Sequence, residues 1–180
     1  MENQNTFSSE QIRTINKAVE IAEELVSNFY KMSANQWLQP KYDIKTQTDL
    51  TSNEIVSGPF AQIIRYKGQK ENTSLESSAY DFYKICLQDH SILSVVENVS
   101  EIKLFPFLLY IITHELIHIV RFSKFLQRFD ALPEEKIMEE SRVHHLTHDI
   151  LNGIKDPDLS EVMVFYQNWR KPIDGLIDPR

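Results

Sequence analysis

The stretch "IITHELIHIV", residues 111–120, carries three ionisable side chains in a run that otherwise consists of Ile, Leu, Thr and Val. Its apolar character, continued on both sides, predicts a buried helix over residues 105–129. Ionisable groups in an apolar helix are costly unless they are paired or bind a metal. The sequence therefore indicates that His114, Glu115 and His118 form part of a functional site.

The spacing of these three residues is typical of a metal site. Positions four apart lie on one face of a helix, so His114 and His118 can both direct a ring nitrogen at a single ion. Glu115 lies roughly 100° round the helix from His114, where it can reach a water beside that ion, and we predict it as a general base. Zinc is the expected ion, because it accepts imidazole and carboxylate ligands and keeps one position open for water in catalytic sites.

A second predicted helix, residues 134–152, supplies candidates for the third ligand. If Val143 marks the centre of its buried face, Glu140 and His144 share one side of the helix, one turn apart. Glu139 lies on the other flank of that face and is a lesser candidate. The other histidines of this helix are predicted to be exposed and not to bind metal: His145 and His148.

The first ninety residues predict an N-terminal helix followed by strands. The helix is expected over residues 8–33, with Ser8 as N-cap and Gln11 reaching back to it. Residues 40–90 are β-prone. In that region "KYDIKTQTDL" and "FAQIIRYKG" are expected to pair as a hairpin, and "DFYKICLQD", residues 81–89, is expected to form a third strand.

The whole chain, residues 1–180, is predicted to be one α+β domain. The strand region is followed by the metal-site helices of residues 105–152 and by a C-terminal helix over residues 156–171. No internal repeat, low-complexity tract or linker divides these elements.

Composition and charge narrow the partners and the compartment. The formal net charge of −7, with no cluster of Lys and Arg, disfavours a nucleic-acid partner. No membrane partner is expected, because the apolar run at residues 104–112 is too short to span a bilayer. Cys86 is the only cysteine, which excludes an intramolecular disulfide and favours a cytoplasmic, reducing location.

The order of a strand, an HExxH helix and an acidic helix resembles the zincin metallopeptidases, specifically their gluzincin branch. The resemblance covers roughly residues 80–152 and implies a small zincin-like domain. It implies that His114, His118 and Glu140 bind zinc, and that Glu115 is the general base of peptide hydrolysis by metal-activated water. The substrate would be a peptide or protein. Zincins hold an extended peptide along an edge strand, and the strand at residues 82–88 would resemble that edge strand.

The chain departs from the gluzincin pattern at one position. The family commonly has an acidic residue four positions after its ligand glutamate, whereas this chain has His144 there. His144 could therefore support a zinc histidine or bind the metal itself. Tyr166 is a further candidate, as a donor to an oxyanion like those that some zincins place late in the chain.

Two other functions are compatible with the sequence. One is a non-catalytic zinc-binding scaffold that keeps the zincin shape and acts as an interaction protein. The other is a di-iron carboxylate protein in which Glu115 and His118 form one ExxH step. That site needs a second ExxH pair and two more glutamates on four long helices, and the strands predicted in the middle of the chain disfavour it.

Overall fold

A computed structural model describes residues 5–33, 36, 41–69 and 79–167. The described residues form five helices and a small three-stranded sheet, which confirms the predicted α+β class. The helices are α1 (Ser9–Tyr30), α2 (Asp89–Asn98), α3 (Leu104–Ser123), α4 (Pro133–Leu151) and α5 (Pro157–Phe165). The strands are β1 (Lys41–Lys45), β2 (Ala61–Gln69) and β3 (Ala79–Leu87).

Helix α1 begins with the predicted capping box. The amide of Gln11 donates to Ser8 Oγ at 3.2 Å, and the amide of Ser8 donates to Gln11 Oε1 at 2.8 Å. The helix ends at Tyr30, three residues earlier than predicted, where Lys31 adopts a left-handed φ of 53°. Its buried face packs against α3 and consists of Ile15, Ala18, Ala22 and Val26.

The sheet has the order β1-β3-β2, so the predicted hairpin between the first two strands is wrong. Strand β1 pairs with β3 in parallel, and β2 pairs with β3 in antiparallel orientation. Gly58 and Pro59 lie in the β1–β2 connection, where Gly58 has a φ of 108°, but that connection does not reverse the chain into an adjacent strand. Two 3-10 turns, Gln47–Asp49 and Ser52–Glu54, lengthen it instead.

Strand β3 is the central strand, which corrects the expectation that residues 82–88 resemble an edge strand. Its third-strand assignment is confirmed, but Phe82 to Cys86 pair with β1 on one side and with β2 on the other. A strand whose two edges are both hydrogen-bonded has no free amides for an extended peptide. Burial explains its position, because Tyr83, Ile85 and Leu87 are all at most 4% exposed.

A polar network fixes the connection between β1 and β2. Glu54 Oε1 accepts hydrogen bonds from Lys84 Nζ at 2.7 Å and from Tyr66 Oη at 2.8 Å. Gln88 Nε2 donates to the Glu54 carbonyl at 3.0 Å, and Gln88 Oε1 accepts from the Val56 amide at 2.8 Å. The network therefore ties the segment before β2 to β3, and this segment supplies one wall of the pocket described below.

Helix α2 was not predicted from the sequence. It begins at Asp89, whose buried carboxylate accepts from the Phe7 amide at 3.0 Å and from the Gln47 amide at 2.9 Å. Burial raises the pKa of Asp89, and the two amide donors oppose that rise. Asp89 thus joins the start of the chain and the first 3-10 turn to the end of β3.

Helix α3 is the centre of the fold and contacts α1, α4, α5 and β2. By length and composition alone, this helix of twenty residues could cross a membrane, whereas the apolar run at residues 104–112 by itself is too short to do so. However, 78% of its most apolar window is buried inside the protein. The prediction of a buried core helix is therefore confirmed.

The end of α3 differs from the prediction. The helix stops at Ser123 and not at residue 129, and Phe125 adopts a left-handed φ of 56° with a side chain that is 95% exposed. The amides of Leu126 and Gln127 turn back to the carbonyl of Arg121 at 2.9 and 3.3 Å. Helices commonly end with a residue in this conformation, which is usually a glycine. Because no glycine occurs here, the end of α3 could not be predicted from the sequence.

The last two helices lie close to their predicted positions. Helix α4 matches the predicted 134–152 helix within one residue at each end, with Pro133 in its first turn. Helix α5 begins after the N-cap Asp156, whose carboxylate accepts from the Asp158 amide at 2.9 Å, and ends at Phe165. The predicted part of this helix after residue 167 lies outside the described residues.

We expect Glu54→Gln to destabilise the protein in a pH-dependent manner. Hydrogen bonds from Lys84, the Thr51 amide and Tyr66 lower the pKa of Glu54 from 4.5 to about 2. A carboxylate with a lowered folded-state pKa stabilises the fold above its ordinary pKa, and this contribution is lost as the pH falls through the folded-state value. The difference in unfolding free energy between wild type and variant should be largest near neutrality and shrink between about 4.5 and about 2.

Urea unfolding of both proteins across this pH range measures the difference. Glu101→Gln, at an exposed position between α2 and α3, is the matched control and should change little. A stability difference between wild type and Glu54→Gln that does not depend on pH would contradict the assignment of Glu54 as an ionised acceptor.

Candidate metal centre

The facing sides of α3 and α4 bring the predicted ligands together. Tyr110, His114 and His118 follow one another at four-residue intervals and lie on one face of α3. Glu140 and His144 lie one turn apart on the side of α4 that faces them. The two imidazoles of α3 are buried, with 6% and 5% exposure, whereas the side chain of Glu140 is 53% exposed. The cluster can therefore be reached from the α4 side.

The distances within the cluster are short. His114 Nε2 lies 3.1 Å from Glu140 Oε2, and His118 Nε2 lies 3.2 Å from Glu140 Oε1. The two Nε2 atoms are 3.2 Å apart. One ligand atom from each of His114, His118 and Glu140 can be chosen so that all lie within 4.8 Å of one another. Two of the residues predicted as ligands and the favoured third candidate thus form one group.

The donor set fits a small divalent ion. Zinc–ligand bonds of about 2.0–2.1 Å in a tetrahedral site require the ligand atoms to lie roughly 3.3 Å apart. The 3.2 Å between the two imidazole nitrogens is close to that value, and each nitrogen lies 3.1 or 3.2 Å from a different oxygen of Glu140. Two imidazole nitrogens and a carboxylate are also a donor set that zinc accepts, with a fourth position left for water or substrate.

The orientation of His118 is fixed by a residue outside the helix. His118 Nδ1 lies 2.9 Å from Gln127 Oε1. In the tautomer that donates this hydrogen bond, Nε2 keeps its lone pair and points at the cluster. Among the described residues, His114 Nδ1 is buried without a hydrogen-bond partner, so no neighbour there fixes its tautomer in the same way.

His144 lies beside the three-residue group. Its Nε2 is 3.7 Å from Glu140 Oε2, its ring centroid is 4.2 Å from that of His114, and its Nδ1 is 2.9 Å from Tyr110 Oη. Tyr110 of α3 therefore holds the ring of His144, just as Gln127 holds the ring of His118. This arrangement favours His144 as support for the cluster over His144 as its third ligand.

The remaining candidates of α4 lie elsewhere. Glu139, the lesser candidate, is buried and forms ion pairs with Arg121 and Arg142. His145 is exposed, as predicted, and the side chain of His148 is 32% exposed near Asp149. None of these three side chains belongs to the cluster of ligand atoms found in the described part of the chain.

A pocket of about 500 Å³ opens beside the cluster. Glu115, His114, Glu140 and His144 all line it, so the predicted base and the candidate ligands share one space. The lining also includes residues at and just before the start of β2 and the residue after α5: Pro59, Phe60, Ala61 and Tyr166. Tyr166 is 3% exposed and stacks on Tyr110 with ring centroids 4.0 Å apart.

The charges of the cluster depend on one another. Burial raises the pKa of Glu115, and the charges of His114 and His118 oppose this rise. Burial works to raise the pKa of Glu140 as well, but the same two imidazoles outweigh it and lower that pKa strongly. Burial works to lower the pKa of His118, but Glu140 outweighs it and raises that pKa. Glu140 is therefore ionised at neutral pH, as a carboxylate ligand must be.

Two residues that hold the cluster were not predicted. Tyr110 could have been found, because it lies four positions before His114 on the same helical face. Gln127 could not have been found from the spacing, because nine residues after His118 is the opposite face of a continuous helix. The turn after Ser123 brings it back.

Comparisons with protein-family models, with curated proteins and with solved structures find no match for this chain.

The described residues bear on the di-iron alternative. The group of candidate ligands found there holds one carboxylate, whereas a ferritin-like di-iron site draws on four glutamates from four helices. The structure therefore does not support a dinuclear carboxylate centre in the part of the chain that it describes.

We expect the purified protein to bind about one zinc per chain, with Glu140→Ala weakening zinc binding more than His144→Ala. The reason is that Glu140 contacts both α3 imidazoles, whereas His144 Nδ1 already faces Tyr110. Elemental analysis and competitive zinc titration measure both quantities, with His145→Ala as the exposed control on the same helix. If His144→Ala is the variant that empties the site, the histidine is the third ligand.

We expect Gln127→Leu to lower zinc affinity about 10–100-fold, the usual cost of losing a partner that orients a metal-binding histidine. Gln127→Glu keeps an oxygen acceptor for His118 Nδ1 and should retain most of the affinity. The same titration tests both variants. Equal affinities for wild type and Gln127→Leu would show that Gln127 does not position His118.

Proposed function

We propose that this chain is a zinc-dependent metallopeptidase of the zincin-like, gluzincin type. His114, His118 and Glu140 would hold the ion, and Glu115 would act as general base. One observation carries the proposal: three donors of a zinc site converge within 4.8 Å at the wall of a pocket that Glu115 also lines. Peptides or proteins are the proposed substrates, and a cytoplasmic location agrees with a single buried cysteine.

Zinc, when bound, supplies a Lewis acid that polarises a carbonyl and lowers the pKa of water. Glu115 is the group that would take a proton from the attacking water and return it to the leaving amine nitrogen. Burial raises the pKa of Glu115 toward the range in which a carboxylate exchanges protons efficiently near neutral pH. Its position beside His114, outside the ligand group, leaves its oxygens free for this role.

Tyr166 and His144 would have different roles. Tyr166 would stabilise negative charge on the substrate carbonyl oxygen, and His144 would support Glu140. Burial raises the pKa of Tyr166 well above 10, so its hydroxyl stays protonated and remains a donor. Tyr166 lines the pocket, and its ring lies 5.4 Å from that of His144 on α4. In this proposal Tyr166 donates toward the oxyanion, and His144 keeps Glu140 in place.

The alternative in a different class is a zinc-binding scaffold that does not hydrolyse peptides. The observation that favours it is the replacement of the family's usual acidic residue by His144, which alters the support of the site. Both functions require the same metal, so only the role of Glu115 separates them.

We expect Glu115→Gln to bind zinc as wild type does and to lose hydrolysis of a peptide library. Glutamine is nearly isosteric but cannot accept the proton, and loss of a positioned base typically costs on the order of 10²–10⁴ in rate. Zinc titration and mass-spectrometric detection of cleaved peptides provide the two measurements. Glu134→Gln, an exposed glutamate in the first turn of α4, is the control and should remain fully active.

Four outcomes bear on the function. Cleavage by wild type and not by Glu115→Gln supports the peptidase. Equal cleavage by both proteins removes Glu115 from the mechanism. Zinc binding with no cleavage by wild type supports the scaffold, and iron in place of zinc would indicate the two-histidine, one-carboxylate site of an oxygenase.

A further inference from the structure

The pocket beside the cluster has an apolar wall, of which Phe60, Ile111 and Ile137 have no role in the proposed chemistry. Its volume of about 500 Å³ is within the usual range of small-molecule sites, about 300–1,000 Å³. The larger apolar side chains that line it come from α3, from α4, from the residue before β2 and from the residue after α5: Phe60, Tyr110, Ile111, Ile137 and Tyr166. A pocket of this size and lining suits one large apolar side chain of a substrate.

Lys136 gives the same pocket a charged rim. Among the described residues that line the pocket it is the only lysine or arginine, and it lies at an exposed position of α4 one turn before Glu140. Within the described part of the chain its ammonium forms no ion pair, because Glu140, four residues on, is directed at His114 and His118. An anionic group of a ligand can therefore bind it without displacing a protein carboxylate there.

The charges of the pocket are arranged with a direction. Glu115 and Glu140 are carboxylates on the side of the cluster, and like charges placed close together repel each other. A substrate carboxylate is therefore favoured at Lys136 and disfavoured next to Glu115. The apolar wall and the single cation together would fix which way a bound peptide runs.

We propose that the pocket selects peptides with a large apolar side chain and a carboxylate nearby, the side chain filling the wall around Ile137 and the carboxylate binding Lys136. This inference rests on the proposed peptidase function for the identity of the substrate as a peptide. The binding preference itself needs no hydrolysis. It can therefore be tested separately from turnover.

The experiment measures binding of three probes to the full chain by NMR titration, both loaded with zinc and treated with a chelator. The probes are N-acetylglycinamide, N-acetyl-leucinamide and N-acetyl-leucine. We expect the leucinamide to bind about tenfold tighter than the glycinamide, since a leucine side chain leaves water. The free carboxylate should add about two- to fivefold, as a solvent-exposed ion pair does.

Variants assign each preference to its residue. Ile137→Phe fills the apolar wall and should remove most of the preference for leucine over glycine, while zinc affinity stays unchanged. Lys136→Met keeps the aliphatic stem and should abolish the preference for the carboxylate in the chelator-treated protein, where no zinc is present to bind that carboxylate. Lys155→Met, at an exposed lysine outside the pocket, is the matched control and should keep it.

Each result counts for or against the inference. Equal binding of the leucine and glycine amides, or a carboxylate preference that survives Lys136→Met in the chelator-treated protein, would overturn it. The expected preferences in a protein that cleaves no peptide would contradict the peptidase and leave the pocket's selectivity intact. Cleavage without these preferences would contradict this inference alone.

Discussion

Helix α3 is buried along almost its whole length, so an ionisable side chain that it carries there is costly unless another element supplies a partner. The partners of its charged and imidazole groups come from α4 and from the turn after Ser123. Glu139 pairs with Arg121, Glu140 contacts both His114 and His118, and Gln127 holds His118. These contacts fix how α4 and the turn lie against the centre of the fold.

The adjacent glutamates of α4 have different roles: Glu139 stabilises the packing of the helices, and Glu140 belongs to the candidate metal site. Neighbouring residues differ by about 100° around a helix, so Glu139 and Glu140 face different surroundings. Glu139 is enclosed between two guanidinium groups and compensates a buried positive charge. Glu140 remains half exposed beside two buried imidazoles. The first position stabilises the packing of α3 on α4, and the second leaves a carboxylate that an ion can reach.

The parts of the fold that follow from local periodicity were predictable. The capping box of α1, the course of α4 and the pairing of His114, His118 and Glu140 all depend on residues three or four apart, or on one helix facing another. The end of α3 was not predictable, because Phe125 takes a conformation that usually requires glycine.

The sheet order was hidden for a different reason. β-prone segments indicate that strands exist, but tertiary contacts determine which strands pair. Here β3, whose side chains are the more buried, is the central strand. Helix α2 depends on the buried Asp89, whose amide partners are Phe7 and Gln47. No local pattern announces partners so distant in sequence.

The position of Glu140 on α4, opposite two side chains of α3, couples the occupancy of the cluster to the survival of the folded chain. An ion held there joins two helices that separate on unfolding, and a ligand that binds only the folded state stabilises it by about 2.7 kcal/mol at a hundred times its dissociation constant. Proteases act mainly on the opened chain. Under the proposed metal binding, the supply of the ion in a cell would thus influence how long each copy of the protein persists.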